Sequence, residues 1–294
     1  MNCSVPSATL TGDAIGIIMK EMVSRAIRII HTHQFAHEIK AKPDRASGSP
    51  DFVTNVDIAA QSMYARLTAE SFPHFGLVAE EDGLRRYGKE GFENTFFTVD
   101  PLDGTKAFIR REPTGVGTMI SLTHNGEIIA AYVGDVMAEE IYGFRPGSKK
   151  THRINRYGTA ALLEPQTKKP LREQYIALRS RAGASSGLGK KLAQEGALCK
   201  ESTVLTGSIG MTFTRLWGGS VGAVLLPQTG HTPWDFNPVL GITKHMGFGV
   251  YSVSDETGVT PMELGPLTED RDLPDLLFVH PSFEAQIMEV AQKL

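Results

Sequence analysis

Ile15, Ile18, Met19, Met22, Val23, Ala26, Ile27 and Ile30 recur at the spacing of one helix face, with Lys20, Glu21, Ser24, Arg25 and Arg28 between them. The pattern predicts an amphipathic helix. A polar stretch from Lys40 to Pro50 follows, broken by Pro43, Gly48 and Pro50, and reads as a loop. A second helix is expected from near Thr54, turning Ala60, Met63, Tyr64 and Leu67 inward and ending before Pro73. The period then changes. Phe75–Ala79 and Phe96–Val99 read as short buried strands that run into Glu80-Glu81 and into Asp100. Thr118–His124 and Glu127–Val133 flank Asn125-Gly126, a dipeptide suited to a type I′ hairpin turn, and Ile141–Phe144 extends the set.

Beyond a polar boundary region, Gly147 to Arg172, strand and helix patterns alternate. Strands are expected at Tyr175–Leu178, Val221–Leu226 and Gly249–Val253. Helices are expected around Lys190–Gln194, Gly207–Trp217, Thr232–Met246 and Phe283–Lys293. The reading is therefore an α/β protein with an α+β first half and an α/β second half. The expected domains are 1–165, helices on a mostly antiparallel sheet, and 166–294, an α/β unit. No internal repeat or low-complexity tract interrupts either.

Composition narrows the function classes. Thirty Lys and Arg against 33 Asp and Glu give a formal charge of −3, which argues against a nucleic-acid polymer as partner. Two cysteines, Cys3 and Cys199, cannot build a disulfide framework or a Cys-based zinc site. No apolar run approaches the ~20 residues that span a bilayer, and residues 1–10 lack the pattern of a secretion signal. The expectation is a cytoplasmic protein without a membrane partner.

Three carboxylate clusters stand where strands end or helices begin: Glu80-Glu81, Asp100-Pro-Leu-Asp103-Gly-Thr105, and Trp234-Asp235. Strand ends form the rim at which ligands usually bind in α/β sheets. Each has a bland account. Asp-Pro and Asp-Gly are common in turns, Glu80–Gly83 could be a solvated loop, and Thr232-Pro-Trp-Asp235 fits a capping box. Together they suggest more. Two carboxylates on a turn stiffened by Pro101 and Gly104 suit a hard divalent cation, which takes oxygen ligands and substrate phosphate. Gly104 and Thr105 then open an expected helix, where backbone N–H groups favour phosphate.

These three runs, and the opening Asp51-Phe-Val-Thr-Asn-Val-Asp57, resemble the motifs of the inositol monophosphatase superfamily over roughly residues 15–290. That group includes adenosine bisphosphate 3′-phosphatases and a class of histidinol phosphatases. The resemblance implies a layered α/β/α/β/α sandwich and a Mg²⁺-dependent hydrolase of a small phosphorylated metabolite, with two or three ions and Mn²⁺ as a substitute. It implies metal ligation by Glu80, Asp100, the Leu102 carbonyl, Asp103 and Asp235, with Glu81 a weaker candidate. Asp57 and Thr105, with Glu80, would activate water, while Asp103, Gly104 and Thr105 would hold phosphate. A homodimer is a further expectation, since members of the family often form dimers.

One position departs. Seven residues before Asp235, where inositol monophosphatases commonly carry a glutamate that contacts substrate hydroxyls, this chain has Gln228. An amide donates as well as accepts, so the favoured substrate is open between inositol phosphate, adenosine 3′,5′-bisphosphate and histidinol phosphate. Other readings compete. Ala184-Ser-Ser-Gly-Leu-Gly-Lys190-Lys191 approaches a phosphate-binding P-loop but lacks Ser or Thr after the lysine. Arg179, Arg181, Lys190 and Lys191 could attract an anion. His33 and His37 have a zinc-like spacing without a third ligand, and Ser185-Ser186 lacks a nucleophile-elbow sequence. Trp217 and Trp234 read as core packing. A non-catalytic binding or regulatory protein on the same fold is the reading from another class.

Overall fold

The structure is a computed structural model in which residues 11–41, 52–179 and 185–293 are described. Cys3, most of the 40–50 loop, Asp51, Arg181 and Ala184 lie outside those residues.

Thr11 caps the first helix, α1 (Gly12–Thr32), by accepting from Ala14 N at 3.2 Å. The predicted inward face, Ile15 to Ile30, is buried except for the half-buried Ile18. A small strand pair, β1 (Ile39–Ala41) and β2 (Phe52–Thr54), leads into α2 (Asn55–Ser71). The first large sheet holds β3 (Gly76–Ala79), β4 (Arg85–Arg86), β5 (Thr95–Asp103), β6 (Gly117–His124), β7 (Glu127–Asp135), β8 (Glu140–Phe144), β9 (His152–Ile154) and β10 (Ala160–Leu162). Its order is β10-β9-β8-β7-β6-β5-β3-β4, antiparallel except where β3 meets β5. The predicted hairpin is β6–β7. Asn125 and Gly126 both have positive φ, 49° and 79°, as a type I′ turn requires. The short helix α3 (Thr105–Ile109) follows β5 directly.

The second half contributes β11 (Tyr175–Leu178), α4 (Gly187–Leu192), β12 (Glu201–Val204), α5 (Ile209–Trp217), β13 (Ala223–Leu226), β14 (Thr229–His231), α6 (Pro233–His245), β15 (Gly249–Ser254), β16 (Gly258–Pro261), β17 (Arg271–Leu273), β18 (Asp275–Val279) and α7 (Glu284–Lys293). A six-stranded sheet runs β12-β11-β13-β18-β15-β16. Only β11 pairs in parallel, with β12 and β13; the other pairings are antiparallel. The central strand β18 carries no turn signal or alternation that the sequence pattern could use. Its five residues, Asp275 to Val279, are all buried.

Three cores separate the layers. Helices α1 and α2 cover one face of the first sheet, where Tyr64, Phe72, Phe97 and Ile120 meet. Helices α5 and α6 fill the space between the sheets, joining Met119, Val133 and Phe144 to Phe213, Phe236 and Phe278. Helices α4 and α7 close the outer face of the second sheet through Leu192, Ile287 and Leu277. The result is the expected α/β/α/β/α order. Trp217 is fully buried with Nε1 donating to Thr243 Oγ1, and Trp234 is 4% exposed, so both pack in the core.

Candidate active site

The run Asp100–Asp103 is not a tight turn. It continues β5, with pairing to β6 at Asp100↔Met119 and again at Asp103↔Gly117, and a register irregularity between. A proline inside a strand removes a ladder donor, which is tolerated at such an irregularity. The break brings Asp100 and Asp103 to the same strand end, both buried. Gly104 turns the chain out of the strand with φ 93°. A Cβ there would meet Gly115 O at 2.3 Å, so only glycine fits.

Asp235 arrives from the first turn of α6. Its backbone N–H donates to the Thr232 hydroxyl at 3.3 Å, half of the predicted capping box. Its carboxylate lies instead with Asp100 and Asp103, ligand atoms of all three falling within 4.8 Å of one another. Among the described residues this is the one such cluster of His, Cys, Asp or Glu.

Burial raises the Asp100 pKa well above the usual carboxylate range, and the neighbouring charges of Glu80, Asp103 and Asp235 push it further. Burial and Asp235 likewise push Asp103 up to about 6, against the lowering contributions of Ser208, Arg179 and the Gly210 N–H. Like charges so enclosed repel, and a hard cation relieves that repulsion. The donor set fits a divalent metal.

Glu80 stands at the end of β3, half-buried and near enough to bear on Asp100. Its turn is anchored by Gln61 on α2, whose amide donates to Glu81 O and accepts from Glu81 N at 2.9 and 2.8 Å. Asp57 has a structural role the sequence pattern leaves unread. Thr54 and Asp57 form a reciprocal capping box at α2, Asp57 Oδ2 accepting from Thr54 N at 2.8 Å. The other oxygen, Oδ1, accepts from the Thr105 hydroxyl at 3.0 Å, joining α2 to the first turn of α3. That hydroxyl also lies 3.2 Å from Leu102 O.

Ser208 is the main residue that sequence reasoning misses. Its side chain caps α5 by accepting from Met211 N at 2.9 Å, and it donates to Asp103. Asp103 also accepts from Ile209 N and Gly210 N, so the start of α5 fixes this carboxylate. A Ser one residue before an apolar run was the available signal. Arg179, expected to attract an anion, is tied to the same place. Its Nη1 donates to Gly207 O and Ser208 O at 2.8 and 3.1 Å, and burial lowers its pKa.

The P-loop-like segment is occupied by protein carboxylates. Ser185 N and Ser186 N donate to Asp275, and Gly187 N and Leu188 N donate to Asp255 at 2.8 and 2.6 Å. Those are the donors that would otherwise cradle phosphate. Asp275 also accepts from Gln228 N at 2.7 Å, and Gln228 itself is exposed between β13 and β14. His33 Nδ1 turns back onto Ile29 O and the His37 ring packs on Phe108, an arrangement unlike a zinc pair. No helix among the described residues is long and apolar enough to cross a membrane.

Comparison with known proteins agrees with this geometry. The "Inositol monophosphatase family" description matches residues 13–288. The Nus factor SuhB of Escherichia coli K12 is 29% identical over 213 residues, 72% of this chain and 74% of that protein. The SuhB of Vibrio cholerae is 35% identical over 101 residues, so the chain spans about a third (36%) of that relative's length. An inositol-1-monophosphatase of Caulobacter vibrioides is 39% identical over 87 residues, 29% of this chain and 32% of that protein. Among solved structures, the Thermotoga maritima IMPase superposes with a TM-score of 0.68 at 18% identity, covering 96% of this chain and 97% of that one. SuhB from Bartonella henselae has the same TM-score at 16% identity, covering 95% and 99%. A match over nearly the whole chain, on the fold described and with the acidic trio at its strand ends, places this protein in the inositol monophosphatase family.

Proposed function

We propose that this chain is a divalent-cation-dependent phosphatase that hydrolyses a small phosphate monoester. The observation that carries the reading is the trio of buried Asp100 and Asp103 with half-buried Asp235, beside the Thr105–Asp57 hydrogen bond. Asp100, Asp103 and Asp235, with Glu80 and the Leu102 carbonyl, would hold Mg²⁺ or Mn²⁺. When bound, the cation supplies charge neutralisation at the phosphoryl group and makes water more acidic.

The chain's own groups do the rest. Asp57 Oδ1 accepts a hydrogen bond from the Thr105 hydroxyl, which leaves the Thr105 oxygen lone pairs to accept from a water molecule. Asp57 is held for this by Thr54, and Glu80 offers a second acceptor across the site. Backbone N–H groups of Gly104 and Thr105, at the first turn of α3, suit phosphate oxygens. Gln228 sets the leaving-group side, and its amide favours a substrate other than inositol phosphate, such as adenosine 3′,5′-bisphosphate or histidinol phosphate.

A second reading has support from the relatives named Nus factor SuhB, a name that points to regulation by binding. The intact carboxylate set favours turnover. Phosphate release measured on those three monoesters, with Mg²⁺, with Mn²⁺ and with excess chelator, separates the readings. Release with either metal and none in chelator is expected. No release from any monoester in Mg²⁺ would leave the binding reading standing.

A further inference from the structure

A cavity of about 860 Å³ lies on the face of the first sheet turned away from α1 and α2, whose core takes the neighbouring residues Leu77, Phe97 and Leu122. Its volume falls within the range of small-molecule sites. Register explains its shape. Val78 pairs with Arg85, Gly76 with Phe96 and Phe96 with Thr123, so the cavity crosses four adjacent strands, β4, β3, β5 and β6. Four strands at ~4.8 Å spacing span about 14 Å. Val78 and Phe96 form a half-buried apolar floor, and the segment 265–269 forms the facing wall.

The two ends differ in chemistry. At one, Arg85 stands 5.7 Å over the Trp234 ring and is paired with no carboxylate among the described residues, beside the exposed Tyr87. At the other, Thr123 is 1% exposed and its Oγ1 makes no hydrogen bond, next to Asn125. A buried hydroxyl without a partner is costly unless a ligand or water satisfies it. The β6–β7 register also shifts at Leu122/Thr123, and such irregularities gather at functional sites.

We propose that this cavity binds a nucleoside monophosphate, distinct from the metal-dependent site. The phosphate meets Arg85 and the planar base lies over Phe96, with its polar edge toward Thr123 and Asn125. Such a ligand matches the cavity in length, in having one anionic end, and in offering a flat face to an aromatic floor.

Calorimetric titration in excess chelator tests this, because a phosphate held by metal ions is then absent. Adenosine 5′-monophosphate should bind, adenosine about tenfold or more weakly, and inorganic phosphate not detectably. Arg85→Gln, a change at an exposed side chain, should bring the nucleotide down to the affinity of adenosine. Thr123→Val, nearly isosteric, should weaken nucleotide and nucleoside alike. Asp235→Asn should leave the binding unchanged, whether or not the protein proves to be a phosphatase. Absence of binding at millimolar nucleotide, equal affinity for nucleotide and nucleoside, or an unchanged affinity in Arg85→Gln would each overturn the proposal.

Discussion

Asp235 carries two roles on one side chain position, and they separate by atom. Its backbone N–H closes the first turn of α6 on Thr232, while its carboxylate joins Asp100 and Asp103. Asp235→Asn keeps the first and removes the charge of the second. With α6 intact, the variant should lose turnover by about a hundredfold or more at saturating Mg²⁺. Its melting temperature in chelator should be unchanged or raised, because a half-buried carboxylate whose charge bears on the buried Asp100 and Asp103 has gone. A pure cap would behave in the opposite way, losing about 1 kcal/mol of stability with kcat preserved. Parallel kcat and melting measurements distinguish these outcomes.

At the scale of elements, the first turn of α5 is the anchor of the site. Ser208 caps that turn and donates to Asp103. Ser208→Ala should cost about 1 kcal/mol in urea unfolding and raise the Mg²⁺ concentration for half-maximal activity. An unaltered Mg²⁺ midpoint would mean that the two backbone donors, Ile209 N and Gly210 N, suffice to hold Asp103. The last turn of α6 offers a pH test away from the carboxylates. His245 stacks on Phe144 at 3.8 Å and bridges Thr151 Oγ1 and Ser148 O, and burial lowers its pKa. A depressed folded-state pKa means that the unfolded chain takes up the proton first. The stability His245 contributes is therefore present above about pH 6.5 and lost as pH falls through the lower folded value. Unfolding free energies of the parent and His245→Gln should converge as pH falls from neutral, and a constant gap would contradict this. Long periodic elements were readable in advance: α1, α2, α6 and the β6–β7 hairpin follow from spacing, caps and Asn-Gly. The short strands β1, β4, β9, β10, β14 and β17 were not, since two or three residues cannot display a period and their pairing is set by distant partners.

Across the whole molecule, the acidic trio was legible because its members sit beside punctuation, Asp-Pro, Asp-Gly and Thr-Pro-Trp-Asp. What joins them was not. The contacts of Asp103 with Ser208, and of Asp275 with both Ser185-Ser186 and Gln228, span 47 to 105 residues of chain. Such pairings depend on sheet order, which one sequence does not display. The Asp275 hub fixes the backbone at Gln228, the residue to which we assign substrate selection, while leaving that residue exposed. Gln228 enters between β13 and β14, seven residues before Asp235, on the connection that delivers the last carboxylate. Its amide can both donate and accept, whereas a carboxylate at that position accepts alone. A site matched to a substrate's hydroxyl or amine groups discriminates strongly, since an unmatched polar group costs about 1–3 kcal/mol. Gln228→Glu should therefore change the ratio of kcat/KM between inositol phosphate and adenosine bisphosphate by about tenfold, in favour of the polyol. Metal dependence should stay as in the parent, because Gln228 is not a ligand and its backbone bond to Asp275 survives the change. Rate measurements on inositol phosphate, adenosine bisphosphate and histidinol phosphate decide the matter. The same ranking in parent and variant would remove Gln228 from the specificity surface.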